Sequence, residues 1–146
     1  MTRDQSIAVG VGAVVFRGDD VLIIKRGKAP FKGQWSIPGG KIEPDEAVKD
    51  AVAREVREET NIEINILALL DVFDAPSGDK SGRYASQMVI IDYVADWVSG
   101  EPVAGDDASE AEFVSMKEAI ARLSWDVTRQ AIAQAAEIRA RFYAAP

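Results

Sequence analysis

The chain of 146 residues contains no cysteine and no histidine. Without cysteine there can be no disulfide, no thiolate metal site and no thiol nucleophile. Without histidine there is no imidazole base and no imidazole ligand. A metal would have to be held by oxygen, which favours magnesium, manganese or calcium over zinc. Positive charge is also scarce. Lys and Arg number 17 against 24 Asp and Glu, for a net charge of −7. A broad surface for duplex nucleic acid is therefore not expected, because such surfaces are basic. No stretch approaches the ~18 uninterrupted apolar residues of a membrane span. The opening "MTRDQSIAVG" lacks the apolar segment of a signal peptide, so the cytoplasm is the expected compartment.

What is present is an ordinary globular composition, 47% hydrophobic and 28% charged. It suits one domain over residues 1–146 with a sizeable core. "IAVGVGAVVF" (7–16) and "VLIIK" (21–25) read as buried strands joined by a turn at "RGDD". "RGKAPFKGQW" reads as a loop and "WSIP" as a short strand. A helix is predicted from about Asp45 to Thr60. "IEINILALLDVFD" and "ASQMVIIDYVADW" follow as longer strands, and "AEFVSM" as a last one. Ser115, with Glu118 three residues on, caps a short helix. From Trp125 to Tyr143 an amphipathic helix is expected, with Ile132, Ala135, Ile138 and Phe142 on one face. Strands and helices mix without strict alternation, which points to a mixed sheet flanked by helices.

The acids of the first helix fall in an unusual place. At roughly 100° per residue, Ala47, Val48, Ala51, Val52 and Val56 form one apolar stripe. Glu55 and Glu59 project near the middle of that stripe, and Glu58 lies at its edge. Like charges four residues apart destabilise a helix. Three carboxylates facing the body of a protein need counter-charge, and Arg54 alone does not supply it. A hard divalent cation would. Pro38-Gly39-Gly40 just before the helix permits close backbone approach by a bound group. Glu46 is placed in the first helical turn, where a negative charge is favoured and from which it can reach Arg54.

These residues resemble the signature of the Nudix hydrolases: Gly40, five residues, Glu46, seven residues, then Arg54-Glu55-Val56-Arg57-Glu58-Glu59 and Thr60. Asn61 replaces the last glycine of the signature, and Asn is the next best residue for a left-handed helix end. The resemblance extends to the flanks, where "LDVFDAPSGDKSGRYASQMVIIDYVAD" and "SGEPVAGDDASEAEFVSMKEA" look like the branch of ADP-ribose pyrophosphatases. It implies an α/β (α+β) fold, a sandwich of helices around a central mixed sheet. It also implies magnesium-dependent hydrolysis of the diphosphate linkage in nucleoside diphosphate derivatives, with manganese as the substitute ion. The alternatives are hydrolysis of nucleoside triphosphates, including oxidised guanine nucleotides, and a nucleotide-sensing domain without catalysis. The implied metal ligands are Glu55, Glu58, Glu59 and the backbone carbonyl near Gly39 or Gly40. Glu46 is the implied structural partner of Arg54. A further acid from a late loop is expected, and counting back from Phe113 places it at Asp107, with Asp106 and Glu110 as rivals.

Such a site needs no protein nucleophile. Carboxylates can hold the ions and accept a proton from water, and Glu58 and Asp107 are the candidate bases. The stretch from Val21 to Ile42 carries Lys25, Arg26, Lys28, Lys32 and Lys41 and no acid, so it could steer an anionic substrate. Arg26, Lys41 and Arg83 are the candidate phosphate contacts, the arginines because they form bidentate pairs with phosphate oxygens. Trp35, Phe73, Tyr84 and Trp125 could stack on a base, and each also reads as core packing. The expected partner is a small nucleotide. Oligomeric state is open, a homodimer included.

Overall fold

The computed structural model describes residues 7–29, 31–76 and 87–146. Arg83 and Tyr84 lie outside these residues. Seven strands and three helices follow in the order β1 (Ile7–Arg17), β2 (Asp20–Arg26), β3 (Trp35–Ser36), β4 (Gly39–Lys41), α1 (Val48–Thr60), β5 (Glu63–Pro76), β6 (Gln87–Ser99), β7 (Ala108–Ser115), α2 (Met116–Arg122) and α3 (Asp126–Ala144). The strands form one mixed sheet in the order β3-β2-β1-β6-β5, with β4 pairing to β1 and β7 to β2. The β1–β6 pair is parallel, and the other named pairs are antiparallel.

The unbroken apolar run of β1 follows from its position, because both faces of the strand are covered. Val14 and Phe16 face one core with Val21, Ile23, Val94, Ala119 and Ile132. Val11, Ala13 and Val15 face a second core with Leu22, Val52, Val56 and Ile62. Helices α2 and α3 close the first core and α1 closes the second. The expected sandwich around a mixed sheet is the observed one.

Three local expectations differ. Helix α1 begins at Val48, not at Asp45, because Asp45 has φ +63° and cannot enter a right-handed helix. Glu46 therefore precedes the helix instead of lying in its first turn. "WSIPGGK" holds two short strands, β3 and β4, where one was expected, and Pro38 separates them. Phe142 is 46% exposed, while Ile132 and Ala135 on the same face of α3 are buried. The helix caps match their sequence signals. Ser115 accepts from the Glu118 N–H at 3.1 Å. Asn61 adopts φ +63° and its N–H donates to the Arg57 carbonyl at 2.9 Å, ending α1. Among the described residues no helix is long and apolar enough to cross a membrane.

Candidate active site

The buried stripe of α1 is Ala51, Val52, Glu55, Val56, Glu59 and Thr60. Its first half is apolar and packs on the sheet. Its second half carries the two acids, Glu55 at 8% exposure and Glu59 at 2%. Strand β4 runs beside them. The Glu59 Oε1 accepts from the Gly39 N–H at 2.7 Å. A Cβ on Gly40 would overlap the Glu55 carboxylate, so the strand can approach this closely only because residue 40 has no side chain. Gly40→Ala is expected to leave the fold largely intact, since the far end of a flexible side chain can swing aside. Turnover should fall sharply, because that end is a carboxylate of the site. Melting curves and kinetics on one variant check both halves of this expectation.

Arg54 organises the approach to this stripe. Its Nε and one terminal nitrogen donate to the two oxygens of Glu46, at 2.6 and 2.9 Å. The other terminal nitrogen donates to Glu55 at 2.9 Å and to Glu58 at 3.1 Å, and lies 3.6 Å from Glu43. The Lys41 carbonyl accepts a further bond at 3.1 Å. Glu46 also accepts from the Glu43 N–H at 3.1 Å. The pairing of Glu46 with Arg54 is thus present, made from a turn before the helix. Glu43 and the Lys41 carbonyl join it, and nothing in the spacing of the signature points to either. The hydrogen bond from Arg54 holds Glu46 below the usual carboxylate range.

A fourth acid arrives from the loop before β7. The Val103 N–H donates to the Thr60 carbonyl at 3.0 Å and the Gly105 N–H to the Glu59 carbonyl at 3.1 Å. These bonds satisfy two of the orphan carbonyls at the end of α1. Gly105 lies so close that a Cβ would come within 2.5 Å of the Glu58 carbonyl oxygen. The next residue, Asp106, has φ +51° and turns its carboxylate toward the helix. Ligand oxygens of Glu55, Glu58 and Asp106 lie within 4.8 Å of one another. Asp107, the position reached by counting back from Phe113, instead lies 3.2 Å from the Lys28 Nζ. The rival position, Asp106, is the one whose left-handed backbone turns the side chain to the helix. Glu110 pairs with Lys25 at 3.3 Å. Lys25 and Lys28 are thereby engaged by acids of this segment. Arg26 is half-buried and close enough to favour the charge on Glu59, and Lys41 is exposed. Trp35 packs on the core with the Arg122 guanidinium 5.1 Å from its ring centre, and Trp125 meets Phe31 edge-on at 5.3 Å.

Burial pushes Glu55 above its ordinary value, against the opposing pull of Arg54. Burial pushes Glu59 up to about 8, with Gly39 pulling it down and Glu55 pushing it further up. On the other face of the sheet, burial alone takes Asp92 to about 6. In an unfolded chain such carboxyls titrate near about 4. At pH above the folded values both states are ionised, and the folded state bears the full penalty of buried charge. As pH falls toward the unfolded values that penalty disappears, so stability rises. Groups held low, such as Glu46 and Glu63, work in the opposite sense, but only below the ordinary carboxylate range. With no histidine in the chain, little else titrates between. Metal-free protein should accordingly melt at a higher temperature near about pH 5.5 than near about pH 8. A Tm that falls on acidification through this window would contradict the assignment of these two groups.

The donor set suits a hard divalent cation. It is all oxygen, it converges, and it is anionic beyond what Arg54 balances. The profile of the NUDIX domain matches residues 7–136, and the chain belongs to the Nudix family. It is a hydrolase of the pyrophosphohydrolase kind. An ADP-ribose pyrophosphatase of Methanocaldococcus jannaschii is 39% identical over 119 residues, covering 82% of this chain and 68% of that protein. An 8-oxo-dGDP phosphatase of Danio rerio is 35% identical over 71 residues, 48% of this chain and 22% of that protein. The crystal structure of a MutT NUDIX hydrolase from Burkholderia pseudomallei superposes with a TM-score of 0.72 at 32% identity, over 89% of this chain and 98% of that one.

Proposed function

We propose that this protein hydrolyses the diphosphate linkage of nucleoside diphosphate derivatives of the ADP-ribose kind, with magnesium or manganese as cofactor. The observation that carries the reading is the convergence of Glu55, Glu58 and Asp106 within 4.8 Å. The likeness to an ADP-ribose pyrophosphatase supports the substrate class. Glu55, Glu58 and Asp106 would hold the ion, with the buried Glu59 beside them. A divalent ion bound there would screen the phosphate charge and acidify a water molecule.

The chain's own groups do the rest. Glu58 is exposed at the mouth of the cluster, with one oxygen tied to Arg54, and its free edge can take a proton from the attacking water. Arg26 and Lys41 flank the approach and orient the anionic substrate. Arg54 and Glu46 fix the carboxylates in place. The test is a panel of ADP-ribose, nucleotide sugars, dinucleoside polyphosphates and nucleoside di- and triphosphates, compared by kcat/KM with magnesium. ADP-ribose or another diphosphate-linked compound should rank first. A triphosphate or an oxidised guanine nucleotide in first place would replace this reading with the one suggested by the likeness to the 8-oxo-dGDP phosphatase.

A further inference from the structure

The segment 100–105 runs along the C-terminal end of α1 as a strap, and its contacts step back along the helix as it advances. The Asn61 Nδ2 donates to the Glu101 carbonyl at 3.3 Å, the Val103 N–H to the Thr60 carbonyl at 3.0 Å and the Gly105 N–H to the Glu59 carbonyl at 3.1 Å. Both ends of the strap lie against backbone of the helix end. A Cβ on Gly100 would overlap the Asn61 carbonyl oxygen, and one on Gly105 would lie 2.5 Å from that of Glu58. Neither obstacle is a side chain that could swing aside. Gly100 also has φ +96°, in the left-handed region that favours glycine. Its carbonyl accepts from the Trp97 Nε1 at 2.8 Å, and the Arg17 guanidinium pairs with the Glu101 carboxylate at 3.3 Å.

Little apolar burial holds the strap. Val103, its largest apolar side chain, is 61% exposed. Backbone hydrogen bonds and close approach fix it instead, so a change in the strap moves what it carries more than it costs the fold. What it carries is Asp106. That residue has φ +51°, a conformation that a residue with a Cβ keeps only where its surroundings determine it. The surroundings are ties on both sides. Before it, Gly105 is bonded to α1. After it, the Ala108 N–H donates to the Gly105 carbonyl at 3.0 Å and the Gly27 N–H to the Asp107 carbonyl at 2.7 Å. The Asp106 carboxylate thereby meets Glu55 and Glu58. Asn61 adds a tie that the glycine of the Nudix signature could not make. It ends the helix with a left-handed φ of +63°, as glycine would, and its side chain reaches the strap as well.

We propose that the strap sets the affinity of the acid cluster for its ion by holding Asp106 against α1, with Gly105 and Asn61 as its positioning residues. The inference rests on the reading of Glu55, Glu58 and Asp106 as ion ligands and names how their geometry is held. Gly105 and Asn61 act through Asp106 and touch neither the ion nor the substrate. Loss of the groups that support a ligand typically weakens metal binding by about 10- to 100-fold.

The test measures ion binding without substrate, so that it does not depend on hydrolysis. Manganese binding is followed by electron paramagnetic resonance of the free ion. It is measured on wild type, Gly105→Ala, Asn61→Gly, Asp106→Asn and the double variants that combine Asp106→Asn with each of the other two. Gly105→Ala should weaken binding by about 10- to 100-fold, because the strap must lift from Glu58. Asn61→Gly keeps the left-handed helix end and removes one hydrogen bond, so it should weaken binding by about 2- to 10-fold. It keeps the test open if Gly105→Ala fails to fold, and melting curves without the ion separate loss of fold from loss of position. In the Asp106→Asn background neither change should weaken binding further, because the ligand that the strap delivers is already gone. Wild-type affinity in either single variant would overturn the proposal. So would losses of the same size with and without the Asp106 carboxylate, which would mean that Gly105 acts on the backbone of Glu58 alone. If wild type bound no manganese, the ion-ligand reading and this inference would fall together. If the coupling held but no diphosphate compound were cleaved, the hydrolytic reading would fail and the strap would stand.

Discussion

Glu55→Gln is expected to lower turnover by ~10²-fold or more, the effect of removing one strong electrostatic contributor from an active site. The substitution keeps the shape of a side chain that is 8% exposed and removes its charge. Stability should hold or rise, because a buried carboxylate is neutralised and its repulsion with Glu59, four residues on, is relieved. The combination of lost activity and retained stability is the mark of a residue kept for chemistry. Asp106→Asn should behave in the same way. Asp107→Asn should not, since its carboxylate faces Lys28 and its loss removes only a surface pair. Steady-state kinetics and melting curves on the three variants decide the matter. Turnover within a few-fold of wild type for Glu55→Gln, or a larger loss for Asp107→Asn than for Asp106→Asn, would remove the proposed ligand set.

The second large effect belongs to Arg54. One guanidinium donates to Glu46 through two nitrogens, to Glu55 and Glu58 through a third, and to the Lys41 carbonyl. It therefore fixes the turn before α1, strand β4 and two acids of the cluster at once. These contacts raise its pKa, the bond to Glu46 most of all. Lysine carries the same charge but has no planar fork, and it cannot span these partners together. Arg54→Lys should cost turnover on a scale approaching that of Glu55→Gln. Unlike Glu55→Gln it should also lower Tm by several degrees, because three carboxylates lose their common donor. An Arg54→Lys variant with wild-type Tm and kcat would show that charge alone matters here and that the fork geometry does not.

The legible part of the fold was the part written in a single element. The continuous apolar run of β1 announced a strand covered on both faces, and the cores on either side of the sheet account for every residue from Ala13 to Phe16. The helical wheel placed Glu55 and Glu59 on the buried stripe of α1, where they are found. Asn61 as a left-handed helix end was likewise a local property of one residue and its backbone. What escaped was set between elements. The start of α1 depended on the positive φ of Asp45, for which the sequence carries no marker. The choice between Asp106 and Asp107 depended on which way a turn aims its side chains, and the turn is held by bonds to α1 from a segment some forty residues away. The glycine preceding Asp106 was the available signal, since a close approach of loop to helix needs one. The sequence marks Asp92 only as part of a strand, because alternation along β6 reveals a face but not what lies across from it.

The central claim is that the acids of α1 and of the loop before β7 serve divalent-ion-dependent cleavage of a diphosphate by water. It is tested most directly by following ADP-ribose with product identification, with magnesium and then with an excess of chelator. The account predicts AMP and ribose 5-phosphate in equal amounts with magnesium, no cleavage once the ion is removed, and recovery on adding magnesium or manganese back. Undiminished cleavage in metal-free buffer would contradict it.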